Sequence, residues 1–292
     1  MRGPDRWQPL RVPVGQGGSR VQECVVPHWR LVRPFALTTG SALRPARGPR
    51  RHYEEGYRAQ AEAVLRLSAA LTDRQKAVAE YWSDGPATET PPGHWCLLAR
   101  FVSRRDGHDL DQDAVLYIAL ANALLDAGIA AWDAKWAYDS VRPVTAIRHR
   151  YRGRSVAAWG GPQQGTRAID GADWHPYQPA TFVTPAFPEF VSGHSTFSAA
   201  AAEVLKRFTG SDAFGAEVTI RAGSSAIEPG RTPGDDVRLR WETFSAAAAE
   251  AGMSRRYGGI HFEEGDMQGQ AMGRAAGGAV WARVRAHLRG TP

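Results

Sequence analysis

Cysteine and lysine are scarce in this 292-residue chain, and each scarcity excludes something. Two cysteines, Cys24 and Cys96, cannot build a Cys₄ or Cys₂His₂ zinc site on their own spacing; they allow one disulfide or two free thiols. The lysines are Lys76, Lys135 and Lys206, and the other basic residues among the 36 are arginines spread along the chain. The net charge of +6 therefore reflects an arginine bias, not a basic stripe, and nucleic acid is not expected as a partner. Long apolar runs are also missing. The longest uncharged apolar stretch, Ala114 to Leu125, ends at Asp126, short of the roughly 20 residues that cross a bilayer. The stretch Met1 to Leu10 has an arginine but no apolar segment of a secretory signal, so neither a membrane nor a signal is expected. Alternation of apolar and polar residues is absent too, which argues against a large sheet. With 43% hydrophobic and 23% charged residues, the chain has the material for a sizeable core.

Helical periodicity fills most of the chain from about residue 54 onwards. Tyr57, Ala61, Val64, Leu65 and Leu67 recur at helical spacing. Thr72-Asp73-Arg74-Gln75 has the form of a capping box and opens a helix running to Trp82, stopped by Gly85-Pro86. A short helix is predicted over His94 to Ser103 and a long one from Leu110 to about Ser140, nearly apolar on all sides and so placed at the centre of a bundle. Ser195 to Phe208, Trp241 to Ser254 and Gly265 to Leu288 read as further helices, with residues 148–185 and 211–233 as irregular connections. The fold class is all-α: a helical-bundle domain over residues 53–292, preceded by an extended Pro-, Gly- and Arg-rich arm over residues 1–52.

Three distant segments are rich in groups that bind oxyanions. In Lys135-Trp136-Ala137-Tyr138-Asp139-Ser140-Val141-Arg142-Pro143, the two cations are seven apart, two helical turns, and so are expected to point from the same face, with Arg142 helix-terminal before the proline. Two cations on an inward face need an anion; pairing with Asp126, Asp133 or Asp139 is the plainer alternative. Ser192-Gly193-His194-Ser195 opens the alanine-rich helix, where free N–H groups and the dipole favour an anion; a simple N-cap would use the same serines. Ser254-Arg255-Arg256-Tyr257-Gly258-Gly259-Ile260-His261 ends one helix and leads into the next, which a plain helix–loop–helix corner would also do.

Read in order, Lys-x6-Arg-Pro, Ser-Gly-His and Ser-Arg-x5-His resemble the signature of the vanadium-dependent haloperoxidase and type 2 phosphatidic acid phosphatase superfamily. The match falls on Lys135, Arg142, Pro143, Ser192, Gly193, His194, Ser254, Arg255 and His261. The resemblance implies a helical bundle whose cage holds vanadate, or a phosphoryl group in the phosphatase branch. It implies that Lys135, Arg142, Arg255, Ser192 and the Gly193 N–H donate to the oxyanion. His261 would be the axial nitrogen, ligand to vanadium or nucleophile at phosphorus, and His194 the acid–base opposite. A five-coordinate vanadate is shaped like the transition state of phosphoryl transfer, so one donor set serves both.

Trp132 and Phe187 resemble the aromatic pair lining the vanadate pocket of soluble haloperoxidases, with Phe187 similar to the chloride-oxidising members; core packing would use aromatics equally well. Asp84, in Tyr81-Trp82-Ser83-Asp84-Gly85-Pro86, resembles an aspartate that supports the anion-binding arginine. Hydrogen peroxide, a halide and an organic acceptor are the implied small-molecule partners, and a homo-oligomer is compatible with the resemblance. The expected activity is vanadate-dependent oxidation of halide by peroxide; a phosphohistidine acid phosphatase and a non-catalytic oxyanion-binding protein are the alternatives. Two positions depart from the pattern. Val191 replaces the proline before Ser-Gly-His, and Gly265 stands where an aspartate would orient His261, with Glu264 and Asp266 on either side.

Overall fold

A computed structural model describes residues 3–14 and 17–291; Met1, Arg2, Gly15, Gln16 and Pro292, and with them the first two positions of the Met1–Leu10 reading, lie outside the described residues. Eight helices follow one another along the described chain: α1 (Glu55–Ala69), α2 (Asp73–Tyr81), α3 (Thr90–Asp106), α4 (Leu110–Tyr138), α5 (Pro143–Arg150), α6 (Gly193–Thr209), α7 (Phe244–Tyr257) and α8 (Glu263–Leu288). The architecture is a helical bundle, as the periodicity predicts.

Local signals set the helix ends. The Thr72 capping box forms, with Gln75 returning the bond to the Thr72 amide at 3.0 Å. Asp109 and Gln112 form a second box at the start of α4. That helix stops at Asp139, which takes a left-handed backbone with φ 47°. Length and composition alone would let α4 cross a membrane. It is instead a bundle centre: Leu116, Leu120, Ala123, Ala127 and Ala130 to Ala134 are all buried.

Two further corrections concern the connections. Residues 148–185 and 211–233 are not wholly irregular but supply strands to small antiparallel ribbons, β3 (Ser155–Trp159) with β4 (Thr166–Asp170) and β5 (Ala213–Ile220) with β6 (Val237–Thr243). Along β5 and β6 only a few inward positions are buried, Phe214, Ala216, Leu239 and Trp241, which is too short an alternation to stand out. Trp241 belongs to β6, and α7 starts three residues later, where the Thr243 hydroxyl accepts from the Ala246 N–H at 3.0 Å.

Helices α6 and α8 meet through small residues. A methyl group on Gly269, Gly273 or Gly277 would fall 2.8, 2.2 and 2.6 Å from the backbone oxygens of Ser192, Thr196 and Ala200. These glycines, one turn apart on α8, let it lie against the backbone of α6. The N-terminus of α6, with the Ser-Gly-His segment, is thereby fixed relative to α8 and the His261 turn before it.

The arm is bound to α4 by two carboxylates. Buried Asp126 accepts the N–H groups of Phe35, Ala36 and Leu37 at 2.6, 2.8 and 3.0 Å. Asp133 takes Arg44 Nε and Nη2 at 2.7 and 2.8 Å, a bidentate pair. A short antiparallel pair of strands, β1 (Arg11–Val14) and β2 (Gly18–Val21), lies further upstream in the arm.

Candidate active site

Lys135 and Arg142 do not share a helix. Lys135 is in the last turn of α4, whereas Arg142 is the N-cap residue of α5, extended at φ −79° and ψ 152° as a residue before proline must be. The left-handed turn at Asp139 breaks the two-turn argument and still delivers both cations to one place. Both are fully buried, and among the described residues neither forms an ion pair. Asp126 and Asp133 are engaged by the arm, and Asp139 lies 4.0 Å from Arg6.

Lys135 Nζ donates to the carbonyls of Pro188 and Glu189 at 2.9 and 3.0 Å and to that of Val191 at 2.5 Å. Its three protons thus fasten the loop before α6. Burial lowers its pKa well below the ordinary lysine value, with the Arg142 charge adding to the effect. Arg142 Nε donates to the Phe187 carbonyl and Nη1 to the Ile260 carbonyl, both at 2.9 Å, and Nη1 also lies 3.0 Å from His261 Nε2. Its Nη2 is buried and has no hydrogen-bond partner. Burial lowers the Arg142 pKa to about 9, partly opposed by Glu189. Arg255 donates from Nε to Ser254 Oγ at 2.8 Å and from Nη2 to the Ala79 carbonyl at 2.6 Å. Its pKa is likewise lowered by burial, to about 10.

Ser192 is the N-cap of α6, its oxygen accepting from the Ser195 N–H at 3.3 Å and lying 2.8 Å from Ser195 Oγ. The plainer N-cap reading of this serine is therefore part of the structure. Gly193 opens the helix, and His194 follows with Nε2 buried, unpartnered and 3.9 Å from Asp84 Oδ2. Burial, then Arg255, lowers the His194 pKa to about 3, so the ring is neutral near pH 7. Asp84 hydrogen-bonds His94 Nδ1 at 3.0 Å, and His94 Nε2 meets the Tyr81 hydroxyl at 3.1 Å. Asp84 makes no ion pair with Arg255 and acts on it through space, raising its pKa; its contacts are with histidines.

His261 precedes α8. Its Nδ1 lies 2.7 Å from Glu189 Oε1, which also accepts the Phe262 N–H at 3.1 Å. Neither Glu264 nor Asp266 takes this place; Asp266 accepts from the Ser195 hydroxyl at 2.8 Å and from Gln270 Nε2 at 2.9 Å. Sequence reasoning missed Glu189. The available signal was an acidic residue in an otherwise apolar Phe-Pro-Glu-Phe-Val segment next to the Ser-Gly-His block. Burial raises the Glu189 pKa to about 7 despite the pull of Arg142 and Lys135. Burial and the surrounding cations push His261 well below its ordinary value.

A cavity of about 730 Å³ reaches these groups. Asp84, Gly193, His194, Arg255 and His261 contribute its polar wall, while Trp132 and Phe187 face it with rings 5.0 Å apart. Val25 and Val26 of the arm close another side, and the Val25 carbonyl accepts from Trp132 Nε1 at 3.3 Å. Lys135, Arg142 and Ser192 stand behind this wall. Three buried cations face two carboxylates, Asp84 and Glu189, which favours an anion at the polar end.

A helix N-terminus, buried cations and two histidines thus meet at one end of a cavity set in a helical bundle. Residues 115–290 match the family described as the VCPO second helical-bundle domain, and the chain belongs to that family. It is 29% identical over 149 residues to the vanadium chloroperoxidase of Curvularia inaequalis, a match covering 46% of this chain and 22% of that protein. The crystal structure of a holo-type bacterial vanadium-dependent chloroperoxidase superposes with a TM-score of 0.87 at 28% identity, covering 99% of this chain and 63% of that one. A bacterial vanadium-dependent iodoperoxidase gives 0.74 at 26% identity, over 97% of this chain and 62% of that one. The chain thus spans less than two thirds of the length of these relatives.

Proposed function

We propose that the protein is a vanadate-dependent haloperoxidase-like enzyme that oxidises halide with hydrogen peroxide. The observation that carries this reading is the pair of buried, unpartnered nitrogens, Arg142 Nη2 and His194 Nε2, in a neighbourhood of net positive charge. Such atoms are costly to bury unless a ligand completes them. The donor set fits vanadate: Arg142, Arg255, the Gly193 N–H and the Ser192 hydroxyl offer hydrogen bonds to an oxyanion, and Lys135 adds charge from behind the loop. His261, neutral, offers a nitrogen ligand at Nε2, and His194 can hold or deliver a proton at its own Nε2. Vanadate, when bound, supplies a Lewis acid that activates peroxide towards attack by a halide. Trp132 and Phe187 keep the approach apolar, which suits a poorly hydrated halide or an organic acceptor.

Protein incubated with orthovanadate, hydrogen peroxide and bromide is expected to brominate a phenolic dye. Release of phosphate from an aryl phosphate, with no halogenation when vanadate is bound, would overturn this reading. It would favour the phosphatase, for which a neutral His261 backed by a carboxylate is also a suitable nucleophile. Absence of both activities, with vanadate affinity unchanged in His261→Ala, would favour a non-catalytic oxyanion-binding protein.

A further inference from the structure

Glu189 and Gly265 belong together. The Glu189 side chain comes from the loop before α6 and ends in the space that a side chain on residue 265 of α8 would fill. A methyl group built on Gly265 would lie 2.2 Å from Glu189 Oε1 and 2.9 Å from its carboxyl carbon. Glu189 is buried, and Oε1 gathers two donors, His261 Nδ1 and the Phe262 N–H. The backbone on either side is fixed independently: Lys135 holds the Glu189 carbonyl, and the Glu189 N–H donates to the Ser140 carbonyl at 3.1 Å.

The same geometry settles the tautomer of His261. A guanidinium has no acceptor, so Arg142 Nη1 at 3.0 Å from His261 Nε2 can only be the donor there. Nε2 therefore carries a lone pair, and Nδ1 carries the proton that it donates to Glu189 Oε1 at 2.7 Å. Two neighbours on opposite edges of the ring specify one tautomer and one ring orientation. The nitrogen left unprotonated is the one on the Arg142 side, among the oxyanion donors.

We infer that Glu189 is the positioning residue of His261, holding the ring so that the unprotonated Nε2 lies on the side of the oxyanion donors, and that Gly265 is the complementary position that gives this carboxylate its room. A carboxylate behind a ligating imidazole fixes the ring and raises its basicity. Here it reaches the ring from the α6 side, and the aspartate that the sequence pattern places at 265 is not needed. The inference rests on the vanadate-binding reading for its consequence but not for its geometry.

The test uses the full chain with four variants and two readouts. In the vanadate-free protein, nitrogen-15 NMR of the histidine rings is expected to show His261 protonated at Nδ1 alone. In Glu189→Ala, the Nδ1–H form is expected to give way to a mixture. Orthovanadate affinity, measured by calorimetry, is expected to fall about 10- to 100-fold in Glu189→Ala, as for other residues behind a metal-bound histidine. Glu189→Ala/Gly265→Asp is expected to recover most of the affinity and the single tautomer, since the new carboxylate enters the vacated space. Gly265→Asp alone is expected to lose affinity, because its side chain collides with Glu189.

An unchanged tautomer in Glu189→Ala, with vanadate affinity within twofold of the parent, would overturn the assignment. So would a double variant no better than the alanine single. If Glu189→Ala does not fold, Glu189→Gln fills the same volume without the charge; about a tenfold loss is expected, and unchanged affinity overturns the inference. If the parent itself binds no vanadate, the functional reading fails, and the tautomer measurement still decides the role of Glu189.

Discussion

The guanidinium carbon of Arg142 sits 4.9 Å from the centre of the Phe187 ring, and the carbonyl of the same phenylalanine accepts the Arg142 Nε–H at 2.9 Å. Lys135 Nζ lies 4.9 Å from the same ring. Phe187 thus lines the cavity and touches both cations through its ring. Replacing it by alanine removes a cation–π contact of about 1 kcal/mol, and vanadate affinity is expected to fall roughly fivefold. Calorimetric titration of Phe187→Ala against Phe187→Leu, which stays apolar but lacks the ring, separates the contact from simple exclusion of water. Alanine at both Trp132 and Phe187 is expected to alter the halide dependence of the reaction; an unaltered dependence would refute the halide-wall role of this pair.

Vanadate is expected to stabilise the fold, because an oxyanion that binds only the native state completes atoms such as Arg142 Nη2. At a hundredfold excess over Kd the gain is about 2.7 kcal/mol, or roughly 4 °C in melting temperature for a chain of this size. Arg142→Ala is expected to abolish the shift. A thermal scan with and without orthovanadate checks both statements.

The α6–α8 contact predicts a position-specific cost. Gly273→Ala puts a methyl 2.2 Å from the Thr196 carbonyl oxygen, so the helices must part. A loss of about 1–3 kcal/mol is expected from such overpacking, together with weaker vanadate binding, since α6 carries Gly193 and His194. Gly278→Ala on the same helix meets only the end of the Arg207 side chain, at 3.6 Å, and is expected to be neutral or slightly stabilising. Urea midpoints of the two variants make the comparison.

Acid lability is expected to depend on His194. Its native pKa is lowered to about 3 from an ordinary 6.5, so between these values the unfolded chain binds a proton that the native one refuses. The contribution is fully present above pH 6.5 and is lost as pH falls towards 3, with a slope of about 1.4 kcal/mol per pH unit. Glu189 acts oppositely. Its native pKa is raised to about 7 from 4.5, so its contribution grows as pH falls through that window. Comparing His194→Gln with the parent isolates the histidine: the variant should lose stability less steeply between pH 6 and 4, as urea unfolding at several pH values would show.

The helices were legible because their signals are local. The capping box at Thr72, the proline after Arg142 and the apolar length of α4 are all properties of a few neighbouring residues. The residues proposed for the oxyanion site were visible in the sequence too, since nine matched positions in three ordered blocks carry the resemblance. What could not be read depends on contacts between distant segments. Alternation in β5 and β6 rests on four buried side chains. The break at Asp139 is a backbone choice by a residue that is also tolerated inside helices. Glu189 is 72 residues from His261, and nothing in its own neighbourhood names the imidazole it meets. The departure at Gly265 was visible; its partner was not.

The two α4 carboxylates that receive the arm have a consequence for how the protein could be shortened. Removal of residues 1–52 would strip three amides from Asp126 and a guanidinium from Asp133, leaving two negative charges stranded along the most apolar helix of the molecule. It would also uncover Trp132 on the side where Val25 now covers it. The extended arm read from the sequence is thus one wall of the cavity, and a trimmed protein is expected to be both less stable and open to water.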